Sequence, residues 1–174
     1  MTHRSVWARG LVGLGGGLAM VAAGFVSGPA HASQPSMQHY TTLSSYPLSS
    51  TDIGCSGAPF TIDVVGVDQV IFQTFYDHTG AAIANVLHDD FAGTETGNGV
   101  TLNSSEHATI TDNLVTGTET WVGQPLKISL PHGRTVTLDA GKLVYASDGS
   151  ITVEHGPHPF INGDVVAYCA AFGA

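Results

Sequence analysis

From Pro59 onward the chain alternates. Phe60-Thr61-Ile62-Asp63-Val64 sets apolar and polar side chains on opposite sides with a period of two, the pattern of a half-buried strand. Val70–Tyr76 follows a Gly/Asp break, with Val70, Phe72 and Tyr76 on one side and Ile71 and Phe75 on the other. Asp77-His78-Thr79-Gly80 predicts a turn. Ala82–Phe91 fits two patterns. Ile83, Val86, Leu87 and Phe91 line a helix face, whereas a strand places Ala84, Val86, His88 and Asp90 together. A strand is the expectation, because the flanking segments are strand-like and no good cap opens a helix. Thr94–Gly99 reads as a polar loop, and Val100–Asn103 and His107–Val115 as Thr-rich strands. In the second of these, Ala108, Ile110 and Leu114 oppose His107, Thr109, Thr111 and Asn113. Gly123-Gln124-Pro125 between Thr120–Val122 and Leu126–Leu130 predicts a bulge or an edge break, since Pro cannot donate to a ladder. Pro131-His132-Gly133 turns the chain into Thr135–Leu138, and Asp139-Ala140-Gly141 predicts a kink. Three strands close the chain: Leu143–Ala146, Ile151–Glu154 and Val165–Cys169. Ser147–Ser150 turns between the first two, and a corner at His155–Phe160 with an Asn162-Gly163 turn leads to the third.

No long helical period appears in this stretch, and turns recur at roughly the 8–12-residue spacing of sandwiches and barrels. The expected fold class is all-β: one domain over residues 55–172, a single antiparallel meander of seven or eight strands closed into a small barrel. Closure removes the exposed edges that invite aggregation. A β-sandwich is the alternative.

The first 32 residues predict a signal peptide. Arg4 and Arg9 precede the uncharged apolar run Gly10–Val26, and Ala30-His31-Ala32 supplies small residues for cleavage before Ser33. A membrane anchor fits less well, because glycines at 13, 15, 16, 17 and 24 break the run. Residues 33–54 are Ser/Thr-rich with Asp52 the only charge, and read as a flexible leader or extended arm. Cleavage leaves Lys127, Arg134 and Lys142 against 14 carboxylates. That balance opposes binding to nucleic acid or to an anionic membrane surface. The expected localisation is secreted, with no membrane association after cleavage. In an exported chain, Cys55 and Cys169 most simply form one disulfide.

A pattern runs through the last third: Asp139-Ala140-Gly141-Lys142-Leu143-Val144-Tyr145, Asp148-Gly149, Gly156-Pro157-His158-Pro159-Phe160, Gly163-Asp164 and Cys169-Ala170-Ala171. It resembles a family of small secreted β-rich proteins of actinobacteria, which carry a D-A-G-[KR]-x-V run, then G-P-H-P and a terminal cysteine. The resemblance spans most of Phe60–Ala171 and implies export and a β-rich fold, with no activity attached. In architecture alone the meander is similar to the eight-stranded barrel of allene oxide cyclases and dirigent proteins.

Candidate chemistry is sparse. His155-Gly156-Pro157-His158 forces a tight turn that can aim two imidazoles one way, with His88, Asp90 or His107 to complete a metal site. The spacing matches no short zinc motif, so no metal and no cofactor are expected; a His beside a Pro turn more often bonds a backbone carbonyl. His88 and Asp90 share a strand face and can do acid–base work if buried, or form a solvated strand end. Asp89 points the other way and is expected to be the exposed member. Trp121, with Tyr76 and Tyr145, offers an aromatic wall for a sugar or an apolar ligand, or simply core. There is no G-x-S-x-G elbow and no phosphate-binding loop, and the cysteines are used in the staple.

The function expected is therefore that of a secreted, non-enzymatic β-domain that binds a small apolar or glycan ligand, or an extracellular partner. The alternative is an enzyme with a His/Asp acid–base or metal site, built from His88, Asp90, His107 or His155 and His158, in a barrel cavity. A weaker third reading is a cell-surface structural protein anchored through its leader.

Overall fold

A computed structural model describes residues 34–174; the expected signal peptide and its cleavage point lie outside the described residues. The described residues form an all-β antiparallel meander of seven strands in one sheet, in the order β1-β2-β3-β4-β5-β6-β7. The strands are β1 (Ser36–Ser49), β2 (Thr61–Tyr76), β3 (Ala82–Gly97), β4 (Val100–Asn113), β5 (Thr118–Ser129), β6 (Thr135–Tyr145) and β7 (Ile151–His155). Two short helices flank them, α1 (Ser50–Ile53) and α2 (Val166–Ala171).

The strands are longer than the sequence pattern predicts, because its breaks are bends rather than ends. Gly66 interrupts nothing: it pairs with Gly93 across β2 and β3, and the ring of Phe91 lies over both. An aromatic ring over paired glycines restores the packing that the glycines lack. Gly123-Gln124-Pro125 is the expected bulge, and the β4–β5 register shifts there. Thr94–Gly99, expected as a loop, is the end of β3 and a two-residue turn at Asn98 and Gly99, both with positive φ. Such a pair is the favoured hairpin turn for twisted strands.

Two expectations are overturned. Residues 33–54, read as a flexible leader or an extended arm, are not a flexible leader: they contain β1, an extended strand that pairs with β2 from Ser36↔Thr74 to Ser49↔Thr61. Its Ser/Thr content misled because an edge strand with both faces exposed needs no apolar alternation. The other is Val165–Cys169, expected as the closing strand, which forms helix α2 with its N-cap at Val165. Val165, Tyr168, Cys169 and Phe172 recur at i, i+3, i+4 and i+7, a helical stripe. With no eighth strand, β1 and β7 are the two edges and no pairing joins them among the described residues.

Alternate residues give the sheet two faces. The helix face carries Ile62, Leu102, Leu126 and Ile128, and the C-terminal segment covers them with Phe160, Tyr168, Cys169 and Phe172. The rings meet edge to face, Phe160–Tyr168 at 5.1 Å and Tyr168–Phe172 at 5.2 Å. Full burial of each such side chain contributes about 2–3 kcal/mol. The Cys55–Cys169 disulfide, with 5.4 Å between Cα atoms, ties α2 to the link between α1 and β2. This core occupies one end of the helix face, near the β3–β4 turn. The other end, near the β2–β3 and β4–β5 turns, lies beyond α2.

Candidate functional site

At the far end of the helix face two rows of side chains run across the strands. The registers Thr74↔Asn85, Asn85↔Asp112, Asp112↔Glu119 and Glu119↔Tyr145 align a polar row on β2 to β6. Phe72↔Leu87, Leu87↔Ile110, Ile110↔Trp121 and Trp121↔Leu143 align an apolar row directly below it. Trp121 stands edge-on to Tyr145, with ring centroids 5.9 Å apart, and donates its indole N–H to Glu119. Thr74 donates to Asn85 at 3.0 Å. Trp121, Tyr145, Asp112 and Glu119 are all half-buried. Burial pushes Glu119 above the ordinary carboxylate range, with Asp112 adding to it and the Trp121 N–H opposing. Burial first, then Glu119, pushes the Tyr145 phenol up to about 12. The result is an indole and a phenol beside two carboxyls, with no Lys or Arg in either row. Tyr76, expected beside them, lies at the β2 end, where its hydroxyl is 3.4 Å from Ser36 of β1.

Further along the same face is a set of carboxyls that the sequence reading missed. Asp89, expected to be exposed, is only 2% exposed, and its Oδ1 has no hydrogen-bond partner. Burial first, then Asp68 and Asp90, pushes it up to about 6. Glu106 on β4 is pushed up to about 9 by burial, then by Asp89 and Asp68. Ser44 donates to Asp68. Glu95, fully buried, accepts from the Tyr168 hydroxyl at 2.5 Å and is also pushed up by burial. The signal was present: period-two alternation places Glu106 beside Ala108 and Ile110, and Asp89 beside Leu87 and Phe91, on the buried side.

The predicted His and Asp residues fall elsewhere. His88, Asp90 and His107 share the opposite, open face. His88 Nδ1 lies 2.9 Å from Thr109 Oγ1, and His107 Nδ1 lies 2.5 Å from Asp90 Oδ1 in a pair with both side chains more than half exposed. His155 is exposed at the end of β7, and His158 is buried with Nε2 3.2 Å from the His155 carbonyl. These five side chains do not converge, and no group of three or more metal-ligating side chains is suitably placed among the described residues.

The D-A-G and G-P-H-P residues build a corner. Asp139 accepts from the backbone N–H of Phe160 at 3.0 Å and of Ile161 at 3.1 Å. Ala140 N–H donates to the Pro157 carbonyl at 2.8 Å. Gly141 and Gly156 cross so closely that a Cβ on Gly141 would lie 1.9 Å from the His155 carbonyl oxygen. The pattern thus seats the C-terminal segment on the sheet. Comparison with protein-family models, curated proteins and solved structures finds no match to this chain.

Proposed function

We propose that this chain is an exported, non-enzymatic binding domain whose ligand is a small neutral or amine-bearing sugar held at the far end of the helix face. The observation that carries this reading is the apolar row containing Trp121 set directly under the polar row of Asn85, Asp112, Glu119 and Tyr145. A sugar ring offers one apolar face of C–H groups and a rim of hydroxyl donors. The first stacks on an indole, and the second are accepted by carboxylates and amides. With two acids and no base in the rows, an anionic sugar is repelled and an ammonium group attracted. Export is supported by the closed disulfide, and no helix among the described residues is long and apolar enough to cross a membrane.

Trp121 is the only tryptophan after residue 32, so its fluorescence reports on this site alone in the cleaved chain. Titration with neutral and amino oligosaccharides should give a saturable change, and uronic acid oligomers should give none. Trp121→Ala should abolish binding, measured by calorimetry. Silence towards every neutral and amino sugar, in a protein that remains folded, would contradict the reading. The acid–base alternative would rest on Asp90 and His107, which lie in contact but open to solvent, where water competes with any substrate contact.

A further inference from the structure

The outermost strand, β1, holds 14 residues without a single charge. Every side chain from Ser36 to Leu43 is exposed, and Leu43 is 83% exposed. Its only sheet neighbour among the described residues is β2. Long, uncharged edge strands are templates for pairing, and natural proteins blunt them with charge or short length. This edge has neither, and the other edge, β7, has only five residues and cannot cover it.

The sequence of β1 contains a palindrome of residue types: Tyr40-Thr41-Thr42-Leu43-Ser44-Ser45-Tyr46. It reads aromatic, hydroxyl, hydroxyl, leucine, hydroxyl, hydroxyl, aromatic in both directions. Only a partner related by a two-fold axis through Leu43 can use that symmetry. We propose that β1 is the seam of a symmetric dimer, in which two copies pair antiparallel with Leu43 opposite Leu43 of the second copy.

The backbone is set for this register. Ser50 N–H donates to the Phe60 carbonyl at 3.0 Å, continuing the β1–β2 ladder one residue beyond Ser49↔Thr61. Even-numbered residues of β1 therefore turn their backbone groups towards β2, and odd-numbered residues turn theirs to the free edge. Pro47, odd-numbered, agrees with this, because a residue without N–H is tolerated where its nitrogen faces outward. Leu43 then meets its copy in a hydrogen-bonded pair, Thr41 meets Ser45, and His39 meets Pro47, where the ladder loses a bond and stops.

The side chains match as well. On the open face, Leu43 lies opposite Val67, which is also exposed, so the register gives an unbroken apolar row Val67-Leu43-Leu43-Val67 across the axis. On the helix face, Tyr40 of each copy stands beside Tyr46 of the other, again without facing charges. Directly opposed aromatic and aliphatic pairs are the stabilising units of such a seam.

The test is sedimentation of the purified chain, with whatever N-terminus the producing cell leaves, from low to high micromolar concentration. A monomer–dimer equilibrium is expected. Leu43→Lys, at a position where the side chain packs on nothing essential, should weaken it about tenfold or more by placing like charges face to face. Leu43→Cys should form a covalent dimer on mild oxidation, whereas Thr41→Cys, which faces Ser45 and not itself, should not. A monomer at all concentrations would overturn the proposal. So would a dimer indifferent to Leu43→Lys, equal cross-linking at both positions, or open-ended polymers. Sugar binding at Trp121 is read separately and stands or falls by itself.

Discussion

Glu106 and Asp89 show what the helix face does to a carboxyl. Each has a folded-state pKa above its unfolded value, Glu106 about 9 and Asp89 about 6. Between the unfolded and folded values the folded chain keeps protons that the unfolded chain has released. The stability these groups contribute is therefore complete below about pH 4 and is lost as pH rises through about 6 and then about 9. Denaturant unfolding should show stability falling by about 2 kcal/mol or more from pH 5 to pH 8, against a background set by the other acids. Glu106→Gln keeps the shape, cannot ionise, and should flatten that slope while raising stability at pH 8. A steeper slope in the variant would show that another group dominates. Asp139 is likewise pushed up by burial, with the Phe160 and Ile161 N–H groups opposing, but its part is structural: it holds two backbone N–H groups of the C-terminal segment. Asp139→Ala should cost about 2–4 kcal/mol by orphaning both donors, measurable as a lowered denaturation midpoint.

At the scale of elements, the close crossing of β6 with the strand-to-helix corner admits no side chain. Gly141→Ala brings a Cβ against the His155 carbonyl at a φ of +129°, so the expected outcome is loss of cooperative unfolding, read by near-UV circular dichroism. The same crossing shows how much of the fold was legible. The D-A-G and G-P-H-P residues stood out as a pattern, but their partnership across the corner is a three-dimensional fact that spacing does not encode. Period-two alternation located β2 and β4 because each has one buried face, whereas β3 fitted a helix equally well and rested on its strand-like neighbours and the lack of a helix cap. Alternation failed for β1, where both faces are exposed, and for α2, where five apolar residues were read as a strand although Val165, Tyr168, Cys169 and Phe172 kept helical spacing. Among the candidate residues, Trp121 and Tyr145 stood out with Tyr76 as an aromatic wall or core, but Tyr76 lies apart from them, beside Ser36. Glu119 and Asp112 were not legible, because their alignment with Tyr145 comes from register across three strands.

At the scale of the whole molecule, the described residues form an open sheet whose C-terminal segment is seated by the Asp139 corner and stapled by Cys55–Cys169. The staple spans 114 residues, and removing it frees a loop whose closure contributes about 4–5 kcal/mol in the chain-entropy treatment. Cys55→Ser with Cys169→Ser should lower the melting temperature by about 10 °C or more. An unchanged melting temperature would mean that packing of Phe160, Tyr168 and Phe172 alone secures the end of the sheet. That end is filled by aromatic rings, and the opposite end of the same face is the one proposed to bind a sugar. The most direct measurement is the two-dimensional amide spectrum of labelled protein during titration with a neutral oligosaccharide, followed at the indole N–H of Trp121. The account predicts that this resonance and the amides around Asn85, Asp112, Glu119 and Tyr145 shift together and saturate. Shifts confined to the open face around Asp90 and His107, or to the His158 corner, would contradict it.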